Sequence, residues 1–200
     1  MIMSFTVTEE QCCNMLDLNE LKNSVKAHLK PSRYHHTMGV LKFAVKLAEV
    51  HNVDIYSAEV AALLHDYGKH VSDQDILSSM DDEEKNSVIL NCPNLGHGTY
   101  SAVLAEKKFK VTDHNILNAI RNHTFGRKGM SKLEKIIYLA DSLEEGRSYE
   151  GIEKIRALAL VSLDEALLLS CSSTLLFELK RGNMIHEKTI ELRNALLEEN

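Results

Sequence analysis

DIYSAEVAALLHDYGK, residues 54–69, is the stretch whose reading decides the fold. Asp54 is a natural N-cap, Ala58, Ala61 and Ala62 let neighbouring backbones come close, and Gly68 is placed to stop the helix. An apolar helix that ends in His65-Asp66 brings an imidazole and a carboxylate to the tip of a greasy element. Neither suits an apolar interior alone, whereas together they suit Zn, Fe, Mn or Mg, so the placement points to a metal. A lone His-Asp pair is a weak motif, because chance pairs are common. The rest of the chain has to supply the case.

Outward from this stretch the helical period continues in both directions. Upstream, Pro31 and Ser32 end a short helix and open a longer one in which His36, Val40, Phe43, Leu47 and His51 share a face. Downstream, Ser72 with Asp75 resembles a capping box before Ile76, Leu77 and Met80. Residues 91–98 (NCPNLGHG) form the clearest loop, and a helix from about Thr99 to Phe109 follows. Thr112 or Asp113 caps the next helix, whose Ile116, Ile120 and His123 lie together. Gly126 and Gly129 bracket a turn, and Ser131 with Glu134 makes a second capping box for a helix carrying Leu133, Ile137, Ala140 and Asp141. Helices from about Ile152, Asp164 and His186 complete the chain. Two prolines and nine glycines in 200 residues favour long helices over strands, and no repeat or linker divides them. The expectation is an all-α protein, with a loosely structured leader over residues 1–18 and a single compact multi-helix bundle over residues 19–200.

Lys and Arg total 23 against 29 Asp and Glu, a net charge of −6. Binding duplex nucleic acid or an anionic membrane needs a basic surface to replace counterions, so neither is an expected partner. With 44% hydrophobic and 26% charged residues, the chain falls in the ordinary globular class. The longest apolar stretch, residues 158–169, is interrupted by Ser162, Asp164 and Glu165 and is too short to cross a bilayer. Cys12 and Cys13 are adjacent, Cys92 and Cys171 stand alone, no CxxC occurs and no secretory signal pattern is present. A soluble protein of the reducing cytoplasm is therefore expected.

Ten histidines in a chain without tryptophan need an explanation. His36, His97, His123 and Asp141 join His65 and Asp66 on inward faces of different helices. Each has a plainer reading. A histidine beside Val40 and Phe43, or beside Ile116 and Ile120, is more often a hydrogen-bonded core residue than a ligand, and Asp141 could cap a helix end. Burying such groups separately is costly, and a shared cation satisfies them together, so the set favours a metal.

The ordered pattern His36, His65-Asp66, Asp141 resembles the signature of the HD superfamily of metal-dependent phosphohydrolases, with His97 and His123 where its dinuclear members carry extra histidines. Five longer motifs make the likeness closer: RYHHTMGV (33–40), LLHDYGK (63–69), LGHG (95–98), AIRNHTFGR (119–127) and LEKIIYLAD (133–141). In that order they are similar to the motifs of the bacterial YqeK family, whose members act as symmetrical bis(5′-nucleosyl)-tetraphosphatases. The likeness covers about residues 20–195. It departs in two places: His35 stands where the family usually carries an acid, and the leader has no counterpart.

The resemblance implies an HD-domain bundle in which His36, His65, Asp66 and Asp141 hold a divalent transition metal, iron before others. His97 and His123 then either complete a second metal site through a bridging Asp66 or hydrogen-bond a substrate phosphate, and imidazole serves both tasks. Arg33, Lys69, Thr124 and Arg147 fall at positions used against nucleotide phosphates. Arg127 is placed nearby by its turn but ranks below Arg33 and Lys69, because Arg121 and Arg127 read equally well as solvated surface charges. His186, in GNMIH (182–186), resembles a late family motif near the nucleotide. His28, His35, His51, His70 and His114 are left to the surface or to supporting contacts.

The implied reaction is hydrolysis of diadenosine tetraphosphate at its central bond, giving two ADP. A metal brings the pKa of a bound water to about 7. Asp66 or Asp141 orients that water or takes its proton, His97 or His123 serves the leaving group, and Lys69 and Arg33 neutralise polyphosphate charge. Asp66, His97, His123 and Lys69 are thus the catalytic candidates, and the bond cleaved comes from the resemblance alone. The rivals are an HD-type nucleoside mono- or triphosphate phosphohydrolase, a non-catalytic nucleotide-binding sensor, and a helical interaction domain with structural histidines. The expected partner is a small dinucleoside polyphosphate or nucleotide, bound where Arg33, Lys69 and Arg147 oppose the global negative charge. A homodimer is compatible with this reading.

Overall fold

The computed structural model describes residues 15–69, 72, 74, 78 and 96–198. Nine helices, and no strand, run through the described residues: α1 Leu18–His28, α2 Pro31–His51, α3 Ile55–Leu64, α4 His97–Phe109, α5 His114–Asn122, α6 Lys132–Leu143, α7 Ile152–Ala159, α8 Leu163–Arg181 and α9 Glu187–Glu198. The all-α bundle expected from the helical period is the observed architecture. Most of the expected leader, the Ser72-Asp75 capping box and residues 91–95 of the expected loop lie outside the described residues. No helix among the described residues is long and apolar enough to cross a membrane.

Helix starts follow from local chemistry. Asp17 accepts from the backbone N–H groups of Asn19 and Glu20 at 2.7 and 3.0 Å, Asp54 from that of Ser57 at 2.7 Å, and Asp113 from that of Asn115 at 2.7 Å. Each fills donors that a helix N-terminus leaves without an internal partner. Ser131 and Glu134 form the complete capping box that opens α6, and Pro31 occupies the first turn of α2. Just before α1, the backbone N–H of Leu16 donates to the Tyr56 hydroxyl at 2.5 Å, which ties this end of the chain to α3.

Helix α3 is the pivot. Val60, Ala61, Ala62, Leu63 and Leu64 are all buried, so the second half of the helix is apolar on every side and has to be surrounded. It packs against α1, α2, α4, α5 and α6. Because α3 is sheathed, its C-terminal end lies inside the bundle, and His65 and Asp66 are only 0% and 2% exposed. Helix α2 turns Thr37, Val40, Leu41, Ala44, Leu47 and Ala48 inward. The buried stripe is therefore rotated slightly from the face read in the sequence, and His36 and Phe43 stand half-buried at its edge. Leu47, Leu63, Leu64, Ile120, Ile136, Ile137, Leu139 and Leu143 are fully buried, each contributing about 1.5–3 kcal/mol through loss of apolar surface. Helix α8 packs on α6, α7 and α9.

Two boundaries differ from the sequence reading. Helix α3 stops at Leu64 and Gly68 has no positive φ, so this glycine does not end the helix by a left-handed turn. Its role is space: a Cβ there would lie 2.8 Å from Tyr100 Cδ1 and 2.9 Å from Ser101 N, while the Gly68 N–H donates to Ser101 Oγ at 2.8 Å. His97 opens α4 instead of closing the preceding loop, a shift of the size that local propensity does not resolve.

Candidate metal centre

Two of the clustered histidines sit at helix C-termini and are built alike. Where α3 and α5 end, last-turn carbonyls lack helical partners. His65 Nδ1 donates to the Ala62 carbonyl at 2.6 Å and His123 Nδ1 to the Ile120 carbonyl at 2.7 Å. A carbonyl can only accept, so in both rings Nδ1 carries a proton, and in the neutral ring Nε2 is left with its lone pair for a metal. His36 arrives from α2. Its Nδ1 donates to Glu144 Oε1 at 3.1 Å, and its Nε2 lies 2.9 Å from Asp141 Oδ1. His97, the first residue of α4, places Nε2 3.1 Å from His123 Nε2.

Asp66 lies among the four rings and divides its oxygens between them. Oδ2 faces His65 Nε2 at 3.5 Å and His36 Nε2 at 3.9 Å, while Oδ1 faces His97 Nε2 at 3.0 Å and His123 Nε2 at 3.8 Å. Two ligand groups result, His36-His65-Asp66 and Asp66-His97-His123, each with donor atoms within 4.8 Å of one another. Asp141 stands against the first group through His36 and is held by Arg147, which donates to its carboxylate at 2.9 Å and to its carbonyl at 3.1 Å. Arg33 donates to Asp66 Oδ2 at 2.8 Å, and Lys69 Nζ lies 3.1 Å from His97 Nε2 and 3.8 Å from Asp66 Oδ1. The three cations are partly exposed, so they ring the mouth of a buried acid–imidazole cluster.

The donor set fits a divalent ion. His36 Nε2, His65 Nε2 and Asp66 Oδ1 are buried and make no hydrogen bond. Each such atom costs about 1–3 kcal/mol; a cation in the first group would satisfy the two imidazole nitrogens together, and one in the second group would satisfy Asp66 Oδ1. Imidazole nitrogen with carboxylate oxygen suits first-row divalent metals. Electrostatics agree. Burial, with His65 and His97 nearby, pushes His123 down to about 3, which keeps it as the neutral ring that ligates. Burial alone would raise Asp66, but the surrounding imidazoles, His65 foremost, hold it well below the usual carboxylate range. Lys69 is lowered by burial, against the pull of Asp66.

Sequence reading missed two supporting residues. Glu144, 5% exposed, accepts from His36 and also from the Gly146 N–H at 2.6 Å. Gly39 is needed beside it, since a Cβ there would collide with Glu144 Oε2. Arg156 donates to the carbonyls of Leu143, Glu144 and Arg147 at 2.7, 2.6 and 3.0 Å, fixing the loop that carries Glu144 and Arg147. A signal existed for Glu144: an acid at a helix C-terminus opposes the macrodipole and needs a compensating reason.

Other expected residues fall elsewhere. Arg127 is committed to Glu134, donating at 2.7 and 2.8 Å, so it braces the α6 cap. His186 packs on Phe125 with ring centroids 4.0 Å apart. His28 stacks on Tyr67 at 4.1 Å and donates to its carbonyl at 2.9 Å, steadying the turn after Asp66. His51 donates to the Ala159 carbonyl at 2.6 Å, and His35 and His114 are exposed. His70, Cys12, Cys13 and Cys92 lie outside the described residues. Thr124 lines a cavity of about 680 Å³ that opens from His123 and Asp141.

Residues 33–146 match the HD domain family. Over 174 residues the chain is 37% identical to the symmetrical bis(5′-nucleosyl)-tetraphosphatase of Bacillus subtilis, covering 86% of this chain and 94% of that one. It is 32% identical over 186 residues to the protein of the same name from Staphylococcus aureus, covering 90% and 94%. The crystal structure of a predicted HD superfamily hydrolase involved in NAD metabolism from Clostridium acetobutylicum superposes with a TM-score of 0.85 at 35% identity, over 93% of this chain and all of that one. The motifs, the helical bundle and these likenesses agree: the chain belongs to the HD domain family, in its YqeK branch.

Proposed function

We propose that this chain is a symmetrical bis(5′-nucleosyl)-tetraphosphatase that hydrolyses the central anhydride of diadenosine tetraphosphate to two ADP. The observation that carries the mechanism is the division of Asp66, one oxygen toward His36 and His65, the other toward His97 and His123. On this reading His36, His65, Asp66 and Asp141 hold one divalent ion, with iron favoured. His97 and His123 join the second Asp66 oxygen as ligands of another.

A divalent ion held there acidifies water and polarises a phosphoryl oxygen. The chain's own groups do the rest. Arg33 and Lys69 on one side, with Arg147 and Thr124 on the other, bind and orient the polyphosphate. Water adds to one of the two central phosphorus atoms, the bond from that phosphorus to the bridging oxygen breaks, and the departing ADP keeps the oxygen and takes up a proton. Lys69 is the proton donor best suited to that oxygen, because burial has lowered its pKa. His123 has its proton turned to Ile120 and is not a donor at Nε2.

The test is product analysis. Metal-loaded protein with diadenosine tetraphosphate is expected to release ADP as the sole nucleotide. ATP with AMP, or turnover of mono- or triphosphates in preference, would overturn the reading in favour of another hydrolase. Binding without turnover would favour a sensor.

A further inference from the structure

The ligand groups of the centre are held in two different ways. His65 and His123 are fixed by their own helices, each donating from Nδ1 to a carbonyl three residues back, Ala62 or Ile120. His36 and Asp141 are fixed by side chains of the loop after α6: His36 Nδ1 donates to Glu144 Oε1 at 3.1 Å, and Arg147 donates to Asp141 Oδ1 at 2.9 Å. The aim of both ligands therefore depends on where the backbone of residues 144–147 stands. That backbone has left helical geometry, with Glu144 at ψ 158°, and its carbonyls are taken up from α7. Arg156 Nε donates to the Leu143 carbonyl at 2.7 Å, and Nη2 to those of Glu144 and Arg147 at 2.6 and 3.0 Å. Nη1 donates to Glu153 Oε1 at 2.5 Å, which sets the plane of the guanidinium. The Arg156 side chain is only 19% exposed, and it does not line the cavity beside the centre. A planar fork with donors at fixed angles can span three carbonyls, which a single ammonium cannot. The same cation opposes the partial negative charge at the C-terminus of α6.

We propose that Arg156 is a positioning residue for the first ion: by clamping the loop after α6 from α7, it sets Glu144 against His36 and Arg147 against Asp141, and so tunes the affinity of the His36-His65-Asp66-Asp141 group. In the second group His123 is fixed by α5 itself, so that group stands apart from the clamp. The inference rests on the ligand assignment above and is independent of the bond that is cleaved.

Co²⁺ titration of the metal-free full-length chain, read by calorimetry, tests it in two backgrounds. His123→Gln leaves the first ligand group, and His36→Gln leaves the second. Arg156→Lys, which keeps the charge at the end of α6 but not the fork, should weaken Co²⁺ binding by roughly tenfold in the first background and by less than about twofold in the second. Arg156→Met, which keeps the stem and no donor, should show the same pattern with a larger loss, with circular dichroism to show that the helices persist. A role in charge or packing alone would leave Arg156→Lys equal to its parent or weaken both backgrounds alike, and either result would overturn the positioning role. No Co²⁺ binding in His123→Gln would overturn the ligand assignment and the clamp with it. Binding that Arg156→Lys weakens as expected, in a chain that does not split diadenosine tetraphosphate, would support the clamp and overturn the proposed activity.

Discussion

Glu144→Gln is the most informative perturbation of the centre. The carboxylate accepts two bonds, from His36 Nδ1 at 3.1 Å and from the Gly146 N–H at 2.6 Å. Glutamine has the same shape but one acceptor oxygen, so either His36 or Gly146 would face an amide NH₂, donor against donor. The negative charge that makes the far nitrogen of His36 a stronger ligand is also lost. Removing a carboxylate partner of a metal-binding imidazole typically lowers metal affinity by about 10- to 100-fold, or roughly 1.4–2.7 kcal/mol. Competition with a chelating fluorophore measures this directly, with far-ultraviolet circular dichroism to show that the helices persist. Gly39→Ala should reproduce part of the loss, because its Cβ would displace the same carboxylate. Metal affinity of a folded Glu144→Gln protein within about twofold of the parent would refute the claim that Glu144 works through His36.

Three further outcomes follow from the same geometry. Asp66→Ala, which removes the residue facing both ligand groups, should abolish bound metal and lower turnover by at least about a thousandfold while helical content is retained; metal content equal to the parent's would contradict the assignment. His123→Gln should lower the metal stoichiometry by one ion in elemental analysis and leave the ion at His36 and His65, and an unchanged count would mean that His123 contacts substrate instead. Burial raises the Cys171 thiol to about 11 from an ordinary 9, against the opposing pull of Arg193 and Tyr138. Its folded pKa lies above its unfolded one, so its contribution is intact below pH 9 and is lost as pH rises toward 11. Denaturant titrations of Cys171→Ala should therefore lose less stability across that window than the parent, and identical slopes would refute the shift.

Helices were legible because their causes are local. Asp54 and Asp113 cap from two or three residues away, the Ser131–Glu134 box closes within one turn, and the apolar faces repeat at short range; Asp17, read as part of the leader, caps α1 in the same way. The chain positions of His36, His65, Asp66, His97, His123 and Asp141 were legible as a set, since no ordinary core explains so many titratable groups on inward faces. The task of Glu144 was not: an acid at a helix C-terminus signals that it needs a partner, but that partner, His36, is 108 residues away. Arg127 reads equally well as a solvated surface cation, yet it is locked to Glu134, while Arg147, read as a phosphate contact, is held by Asp141.

By itself the sequence determined the helical class, the helix starts and the family, all of which depend on neighbours within a few residues or on the order of short motifs. Only the tertiary structure decided which oxygen of Asp66 faces which histidines, which cations remain beside the centre, and that one loop carries the side chains holding His36 and Asp141. Those are relations between side chains brought together by the packing of α3 inside the bundle. Periodicity states which face of each helix is buried, but the burial of one face against another sets the distances between the side chains of the site.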